Sequence, residues 1–241
     1  MGKIILISSG KGGVGKTTLV SNLGILLAMS NKKVLLVDMG MGLRNLDLFL
    51  GVENRVVYNV RDVLSGLCRV KKALIKDDRL DNLYVIPAPQ GLSDDDLSSY
   101  DIKSFYDELR ESFDYILVDA PSGIGEDFQL SIKGIDKAIV VVEPDIASIR
   151  DAEIVDKILY KSGVLDRMLL INKARMELMS MGFLPNIADI SRKFRIPLLG
   201  IIQFDENILV SSNQGIPIVM KKNTYISKNF EGILDRFVGE K

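Results

Sequence analysis

The sequence predicts an α/β fold in which a doubly wound, mostly parallel sheet carries helices on both faces. Two observations predict it. Short apolar runs recur along the chain and are continuous rather than alternating, as in strands buried on both faces of a parallel sheet. Between them lie stretches whose apolar residues repeat at helical spacing. Strand and helix therefore alternate through the whole chain, which is the pattern of a doubly wound fold.

The strands are predicted first, from the apolar runs. These are Ile4–Ile7, Val34–Val37, Leu83–Ile86, Tyr115–Val118, Ala138–Val142, Met168–Ile171 and Ile196–Ile202. The polar run 93–101 between the third and fourth is interpreted as a solvated loop or helix start.

The helices are predicted from apolar stripes. Leu19, Leu23, Leu26 and Leu27 share one stripe, and Phe105, Leu109 and Phe113 share another. In a terminal helix at about 225–239, the apolar positions are Ile226, Phe230, Ile233, Leu234 and Phe237. We expect this helix to pack on the sheet. A membrane-surface helix is the alternative, but polar residues of mixed sign would gain little from anionic lipid.

Composition favours one large domain, residues 1–241, with a substantial core. The apolar fraction is 47%, and 26% of the residues are charged with a net charge of −1. This balance gives no reason to expect a specific nucleic-acid partner. The apolar runs are shorter than the ~18 residues that a membrane span needs, and the amino terminus lacks the features of a signal peptide.

The reactive side chains are limited. Cys68 is the one cysteine, so no intramolecular disulfide can form, which fits a cytoplasmic location. There is no histidine, which removes histidine-based nucleophilic catalysis and the usual zinc sites. Any metal must be held by oxygen ligands, and this favours Mg²⁺.

A phosphate-binding loop follows the first strand. Residues 10–17 match G-x-x-x-x-G-K-[ST], between a strand and a helix. The predicted nucleotide-binding residues are Gly10, Lys11, Gly12, Gly13, Val14, Gly15, Lys16, Thr17 and Thr18. Backbone N–H groups and the helix N-terminus would surround a phosphate, Lys16 would neutralise the outer phosphates, and Thr17 would hold magnesium. The structural alternative is a simple glycine-rich turn.

Two carboxylates stand at strand ends. Asp119 ends the run "YILVD" and is predicted to bind magnesium or its water shell with Thr17. Capping of a turn is the alternative. Asp38 ends the second strand, where it would orient water.

Lys11 stands near the start of the phosphate-binding loop. It is not needed to bind one nucleotide, and it can instead reach the phosphate of a second subunit. Lys11, Lys16 and Asp38 are the predicted catalytic residues.

At this point the sequence resembles the MinD/ParA class of ATPases. "KGGVGKTT" is similar to the deviant phosphate loop of that class. "GLRNLDL" (42–48), "GVENRVVYNV" (51–60) and "SSNQGIPI" (211–218) resemble the MinD family specifically. The similarity runs from about residue 2 to about residue 239.

The resemblance implies a P-loop NTPase fold, binding of ATP, ADP and Mg²⁺, and a homodimer with ATP at its interface. It further implies a membrane-surface location and MinC-like and MinE-like protein partners. Lys11 would contact the nucleotide of the other subunit, and Asn172 would recognise adenine, unless it only bonds to the backbone. Arg150 and Asp151 match a pair near the dimer and partner surface, or form an ordinary solvated helix start.

The chain also departs from the family. Two residues after Asp38 the family carries a second aspartate, thought to help position the attacking water, whereas this chain has Gly40. We therefore expect nucleotide binding with slow or absent hydrolysis, unless Asp47 substitutes. The family's Gly-Ile-Glu reads Gly123-Ile124-Gly125, and its Ile-Pro-Glu-Asp reads Ile202-Gln203-Phe204-Asp205. The family's basic membrane helix would begin about where this sequence ends.

Several functions remain open. One is a MinD-type ATPase switch in division-site placement. Another is a nucleotide-locked binding module with the same fold and dimer. A flagellar-placement relative is also open, while a ParA-type relative that binds DNA would need a basic surface. One cysteine does not supply the ligands of an iron–sulfur reductase, and Lys11 argues against a small-molecule kinase.

Overall fold

The computed structural model of the protein describes residues 1–42, 44–91 and 100–239. The strands in these residues are β1 Lys3–Ser8, β2 Val34–Asp38, β3 Ile75–Lys76, β4 Leu83–Ile86, β5 Tyr115–Asp119, β6 Lys137–Val142, β7 Asp166–Ala174 and β8 Leu198–Gln203. They form one sheet in the order β3-β4-β2-β5-β1-β6-β7-β8. All neighbours are parallel except β3 and β4. The predicted fold class is confirmed.

Helices lie on both faces of this sheet. They are α1 Lys16–Met29, α2 Leu46–Leu50, α3 Val60–Leu64, α4 Val70–Ala73, α5 Ile102–Ser112, α6 Glu126–Ser131, α7 Ile146–Lys161, α8 Met176–Ser180, α9 Ile187–Lys193, α10 Glu206–Asn213 and α11 Tyr225–Val238. Short 3₁₀ helices span Glu53–Arg55 and Ile218–Met220.

Each predicted apolar run forms a strand, because its residues are buried on both faces of the sheet. Along β1, Ile4 and Leu6 pack into the core on one side, whereas Ile5 and Ile7 pack into the core on the other. This alternation divides the apolar interior into two layers. Strand β8 begins only at Leu198, directly after a proline, which cannot donate to the ladder.

The central strands bring the predicted carboxylates together. Strand β5 lies between β1 and β2, and Asp38 on β2 is the register partner of Asp119 on β5. Ile7 on β1 is the other neighbour of Asp119, shortly before the phosphate-binding loop. The loop and both carboxylates therefore share the carboxyl edge of the sheet, where doubly wound folds bind ligands.

The terminal helix α11 packs against α1 and β8. Its predicted apolar positions are all buried, with Phe230 and Ile233 fully inaccessible. Thr224 caps its first turn in a reciprocal pair with Ser227. The apolar face of α11 is thus part of the core, as the sequence favoured. Across the described chain, none of the helices has the length and apolarity to span a bilayer.

Residues 93–99 of the polar run 93–101 lie outside the described residues, and so does Leu43 in the segment after Asp38. Of that polar run, Asp101 caps α5 by accepting a hydrogen bond from the Ser104 N–H at 3.1 Å.

Candidate functional site

A cleft of about 980 Å³ opens at the carboxyl edge of the central strands. Most of the predicted site residues line it. They are Gly13, Gly15, Lys16, Thr17, Thr18, Asp38, Asp119 and Asn172. As far as the structure describes the chain, Gly10, Lys11, Gly12 and Val14 are not part of this lining. The cleft extends from the phosphate-binding loop to the end of β8 and to α10, where Phe204 and Ile208 line it.

Two positions of the loop leave no space for a side chain and therefore need glycine. Gly15 has a φ of 97°, and a Cβ there would lie 2.2 Å from the Asn172 side-chain nitrogen. A Cβ on Gly10 would lie 2.3 Å from the carbonyl carbon of Asp151 on α7. Any larger residue would push the loop away from α7 and from the end of β7.

Lys16 is buried at the base of the loop and reaches towards the end of β5. Its ammonium donates to the Ser9 hydroxyl at 3.0 Å and to the Ser122 hydroxyl at 2.9 Å. Burial lowers the pKa of Lys16, and the nearby carboxylates Asp119 and Asp38 partly oppose this shift. An ammonium has three donors, so one remains for a phosphate oxygen.

Thr17 and Asp119 form the predicted magnesium pair. The Thr17 hydroxyl donates to Asp119 Oδ2 at 2.6 Å. Asp119 Oδ1 is buried and has no hydrogen-bond partner among the described residues. Burial, reinforced by the charge of Asp38, raises the pKa of Asp119 to about 7. An unsatisfied carboxylate oxygen beside a hydroxyl fits Mg²⁺ or its bound water.

The rest of a Mg²⁺ shell is not preformed. In the described parts of the chain, no group of three or more acidic or cysteine side chains is arranged to hold a metal ion. Magnesium in nucleotide sites is typically held by one or two carboxylates together with phosphates and water. The pair at Thr17 and Asp119 matches that pattern.

Asp38 lines the cleft, but its oxygens already accept backbone hydrogen bonds. The N–H of Gly40 donates to Oδ1 at 3.0 Å, and those of Asn45 and Leu46 donate to Oδ2 at 3.2 Å each. Burial raises the pKa of Asp38, and these N–H donors oppose the shift. Asp38 therefore fixes the loop that follows β2 and the start of α2.

Gly40 also lines the cleft and contributes no side chain to it. Asp47 does not lie in the described lining. Its side chain is fully buried on α2, where Oδ2 lies 2.6 Å from Arg44 Nε. Asp47 is thus engaged by Arg44 and is not placed to act in the cleft instead of a residue at position 40.

The end of β7 holds the phosphate-binding loop from the other side. The Asn172 amide nitrogen donates to the Val14 carbonyl at 2.7 Å, and Lys173 Nζ donates to the Gly13 carbonyl at 2.6 Å. Lys173 also pairs with Glu143 at 2.7 Å. The Asn172 side chain retains a second N–H and its carbonyl oxygen for recognition of a base.

Lys11 lies at the surface of the loop, with its side chain 45% exposed. Its ammonium is 3.5 Å from Asp145 Oδ2 at the start of α7. Arg150 is also exposed, 3.5 Å from Asp151 Oδ1, while the backbone of Asp151 packs against Gly10. Lys11 is therefore free of the cleft and accessible from outside, as contact with a second subunit would require.

Three residues that bond to Lys16 or support the phosphate-binding loop were not predicted from the sequence: Ser9, Ser122 and Lys173. A signal existed for the first two, because Ser9 directly precedes the motif and Ser122 follows Asp119 by three residues. Lys173 directly follows Asn172, but no motif predicts its contact with the Gly13 carbonyl, which joins residues 160 positions apart.

Comparisons with known proteins identify the family. The model of the AAA domain family matches residues 2–161. The septum site-determining protein MinD of Bacillus subtilis is 41% identical over 242 residues, covering 100% of this chain and 90% of that protein. MinD of Synechocystis is 40% identical, covering 100% and 91%. The chain belongs to the MinD family.

Solved structures of MinD proteins agree. MinD in a MinC:MinD complex from Aquifex aeolicus has a TM-score of 0.90 at 38% identity, covering 99% of this chain and 96% of that one. MinD from Pyrococcus horikoshii, complexed with Mg-ADP, has a TM-score of 0.86 at 28% identity, covering 99% and 96%. Membership makes this chain a P-loop ATPase of the MinD type, which acts in division-site placement.

Proposed function

We propose that this MinD-family chain binds Mg-ATP and its product ADP in the cleft, within one P-loop ATPase domain spanning residues 1–241. The convergence of Lys16, Thr17 and Asp119 carries the proposal. A buried ammonium, a hydroxyl and a carboxylate with one unsatisfied oxygen meet at the helix N-terminus that follows a glycine-rich loop. This combination of charges suits a phosphate chain with its metal.

The residues of the cleft have different roles in binding Mg-ATP. The loop amides and Lys16 bind the outer phosphates, and Thr17 and Asp119 hold Mg²⁺ or its water. The metal supplies charge neutralisation between the phosphates. Asp38 holds the backbone of Gly40 and the start of α2 beside the cleft through three N–H hydrogen bonds. Asn172 contributes to recognition of adenine.

ATP binding in turn promotes a homodimer. Lys11 is exposed beside the phosphate-binding loop, where its ammonium can reach a phosphate of the partner subunit. It must first leave Asp145, and an ion pair this exposed is worth at most about 1 kcal/mol, so the exchange is easy. Lys11 then stabilises the charge of the transferred phosphoryl group from the second subunit.

Hydrolysis is slow in this account because the cleft lacks a side chain at position 40. Loss of one preorganised polar group costs on the order of 10²-fold in turnover. The affinity for Mg-ATP should change much less, because Lys16, Thr17 and the amides of the phosphate-binding loop remain. Gly40 thus favours a second candidate function, a nucleotide-locked binding module that dimerises without useful turnover.

The dimer would act through partners. The Aquifex structure contains MinD together with MinC, and we propose a MinC-like protein as a partner here as well. A MinE-like protein would stimulate hydrolysis, and the dimer would bind the inner membrane surface from the cytoplasm. No specific nucleic-acid contact is part of this proposal.

The test is direct binding of Mg-ATP by calorimetry. Lys16→Ala should weaken binding about 10- to 100-fold, because it removes charge-assisted hydrogen bonds to phosphate. Lys157→Ala removes an exposed lysine of α7 and serves as the matched control. Equal affinities for wild type and Lys16→Ala, or no binding by the wild type, would contradict the proposal.

A further inference from the structure

The end of the cleft beyond Asn172 carries an aromatic ring whose role is unassigned. Phe204 follows β8 and lines the cleft, and the residue is 44% exposed. We propose that Phe204, supported by Arg175, is the surface on which the purine ring of the nucleotide stacks. This inference rests on the proposed function, because it concerns the same bound nucleotide.

Arg175 covers part of the ring. Its guanidinium carbon lies 4.2 Å from the centroid of Phe204, which is within the range of a cation–π contact. The arginine limits the rotamers open to Phe204, while more than two fifths of the residue stays accessible. An aromatic side chain that is held in place and still exposed to a cleft suits a flat, apolar ligand surface.

The backbone of Phe204 is also fixed on both sides. Its N–H donates to the Ala174 carbonyl at 3.0 Å, which ties it to the end of β7. The next residue, Asp205, caps α10 by accepting from the Asn207 N–H at 2.7 Å, and it also accepts from the Tyr225 hydroxyl. Little ordering of this segment remains for the ligand to induce, so less binding energy is lost.

One short segment connects this ring to the phosphate site. Within residues 172–175, Asn172 and Lys173 bond to the phosphate-binding loop, and Arg175 contacts Phe204. Asn172 offers hydrogen bonds to the edge of a base, and Phe204 offers a face. Hydrogen bonds to the edge of the base and stacking on its face would together make the protein bind a purine nucleotide more tightly than a triphosphate without a base.

The test compares two ligands, Mg-ATP and Mg-tripolyphosphate, by calorimetry. Phe204→Ala should raise the dissociation constant for Mg-ATP about 3- to 10-fold, the equivalent of one aromatic stacking contact. Arg175→Ala should raise it about 2- to 5-fold. Both should leave tripolyphosphate binding unchanged. Phe183→Ala is the matched control, because Phe183 is 75% exposed and lies outside the described lining.

The outcomes separate this inference from the proposed function. Unchanged Mg-ATP affinity in Phe204→Ala, with normal binding by the wild type, would overturn the stacking role alone. An equal loss for Mg-ATP and tripolyphosphate would also overturn it, because the effect would not concern the base. Failure of the wild type to bind Mg-ATP would overturn both.

Discussion

Gly40 lines the cleft without a side chain, and it is the residue to which we attribute slow hydrolysis. The strands that end beside it carry both predicted carboxylates, and Asp38 and Asp119 are adjacent in the sheet. The N–H of Gly40 bonds to Asp38, so the loop backbone is placed although no side chain enters the cleft from this position. Binding and turnover should therefore be separable by substitution at position 40.

We expect Gly40→Asp to raise the single-turnover rate of ATP hydrolysis on the order of 10²-fold, because it supplies a polar side chain to the cleft. The affinity for Mg-ATP should change much less. Gly40→Asn, which adds an amide of the same shape without the charge, is the control. Equal rates for the wild type and Gly40→Asp in a quenched-flow assay would rule out the role given to this position.

Asp119 should make stability depend on pH. Burial raises the pKa of Asp119 from an ordinary value near 3.8 to about 7. The folded protein therefore holds this proton more tightly than the unfolded chain does. The resulting stabilisation is complete below the unfolded pKa and is lost as the pH rises through about 7.

Urea unfolding of the protein without nucleotide or metal, measured between pH 4 and pH 8, checks this pH dependence of stability. The unfolding free energy of the wild type should fall relative to that of Asp119→Asn as the pH rises, because the amide does not titrate. Glu231→Gln removes an exposed carboxylate of α11 that lies outside the described lining of the cleft, and it controls for general charge effects. Parallel profiles for the wild type and Asp119→Asn would show that Asp119 titrates normally.

At the scale of elements, the predictable parts are those with a repeating pattern. The buried strands were predicted because each is a continuous apolar run, and α11 because its apolar residues recur on one face. Strand β3 was missed, since it has only two residues and Ile75 alone is buried. The short helices such as α2 and α4 span about one turn, which is too short for a periodic signal.

Helix α11 should contribute strongly to stability. Phe230→Ala should lower the unfolding free energy by about 3–5 kcal/mol, because it leaves a cavity against the sheet. Val238→Ala at the exposed end of the same helix should change it by less than about 0.5 kcal/mol. Chemical denaturation measures both, and a near-neutral Phe230→Ala would mean that α11 does not pack as described.

The candidate site was predictable only in part, for a similar reason. Lys16, Thr17 and Asp119 follow from a local motif and from strand ends that must share one edge of the sheet. Lys173 depends instead on how distant segments pack, because its contact with the loop joins residues 160 positions apart. Arg44 and Asp47 have the i,i+3 spacing of a helical pair, but that spacing does not reveal that Asp47 is buried outside the described lining of the cleft.

For the whole molecule, nucleotide binding and assembly are expected to be linked through the phosphate-binding loop. The phosphate-binding loop faces the cleft with Lys16 and the surface with Lys11, so one loop can sense a nucleotide on its own subunit and on a second one. The fold provides this arrangement by placing β1 at the centre of the sheet and α7 beside the loop.

The mass of the protein in solution, measured by light scattering during gel filtration, tests this link most directly. We expect twice the monomer mass with Mg-ATP and the monomer mass with Mg-ADP. Lys11→Ala should stay monomeric with Mg-ATP while still binding it, and Lys157→Ala should behave as the wild type. A wild-type monomer with saturating Mg-ATP, or an ATP-dependent dimer that survives Lys11→Ala, would contradict the account.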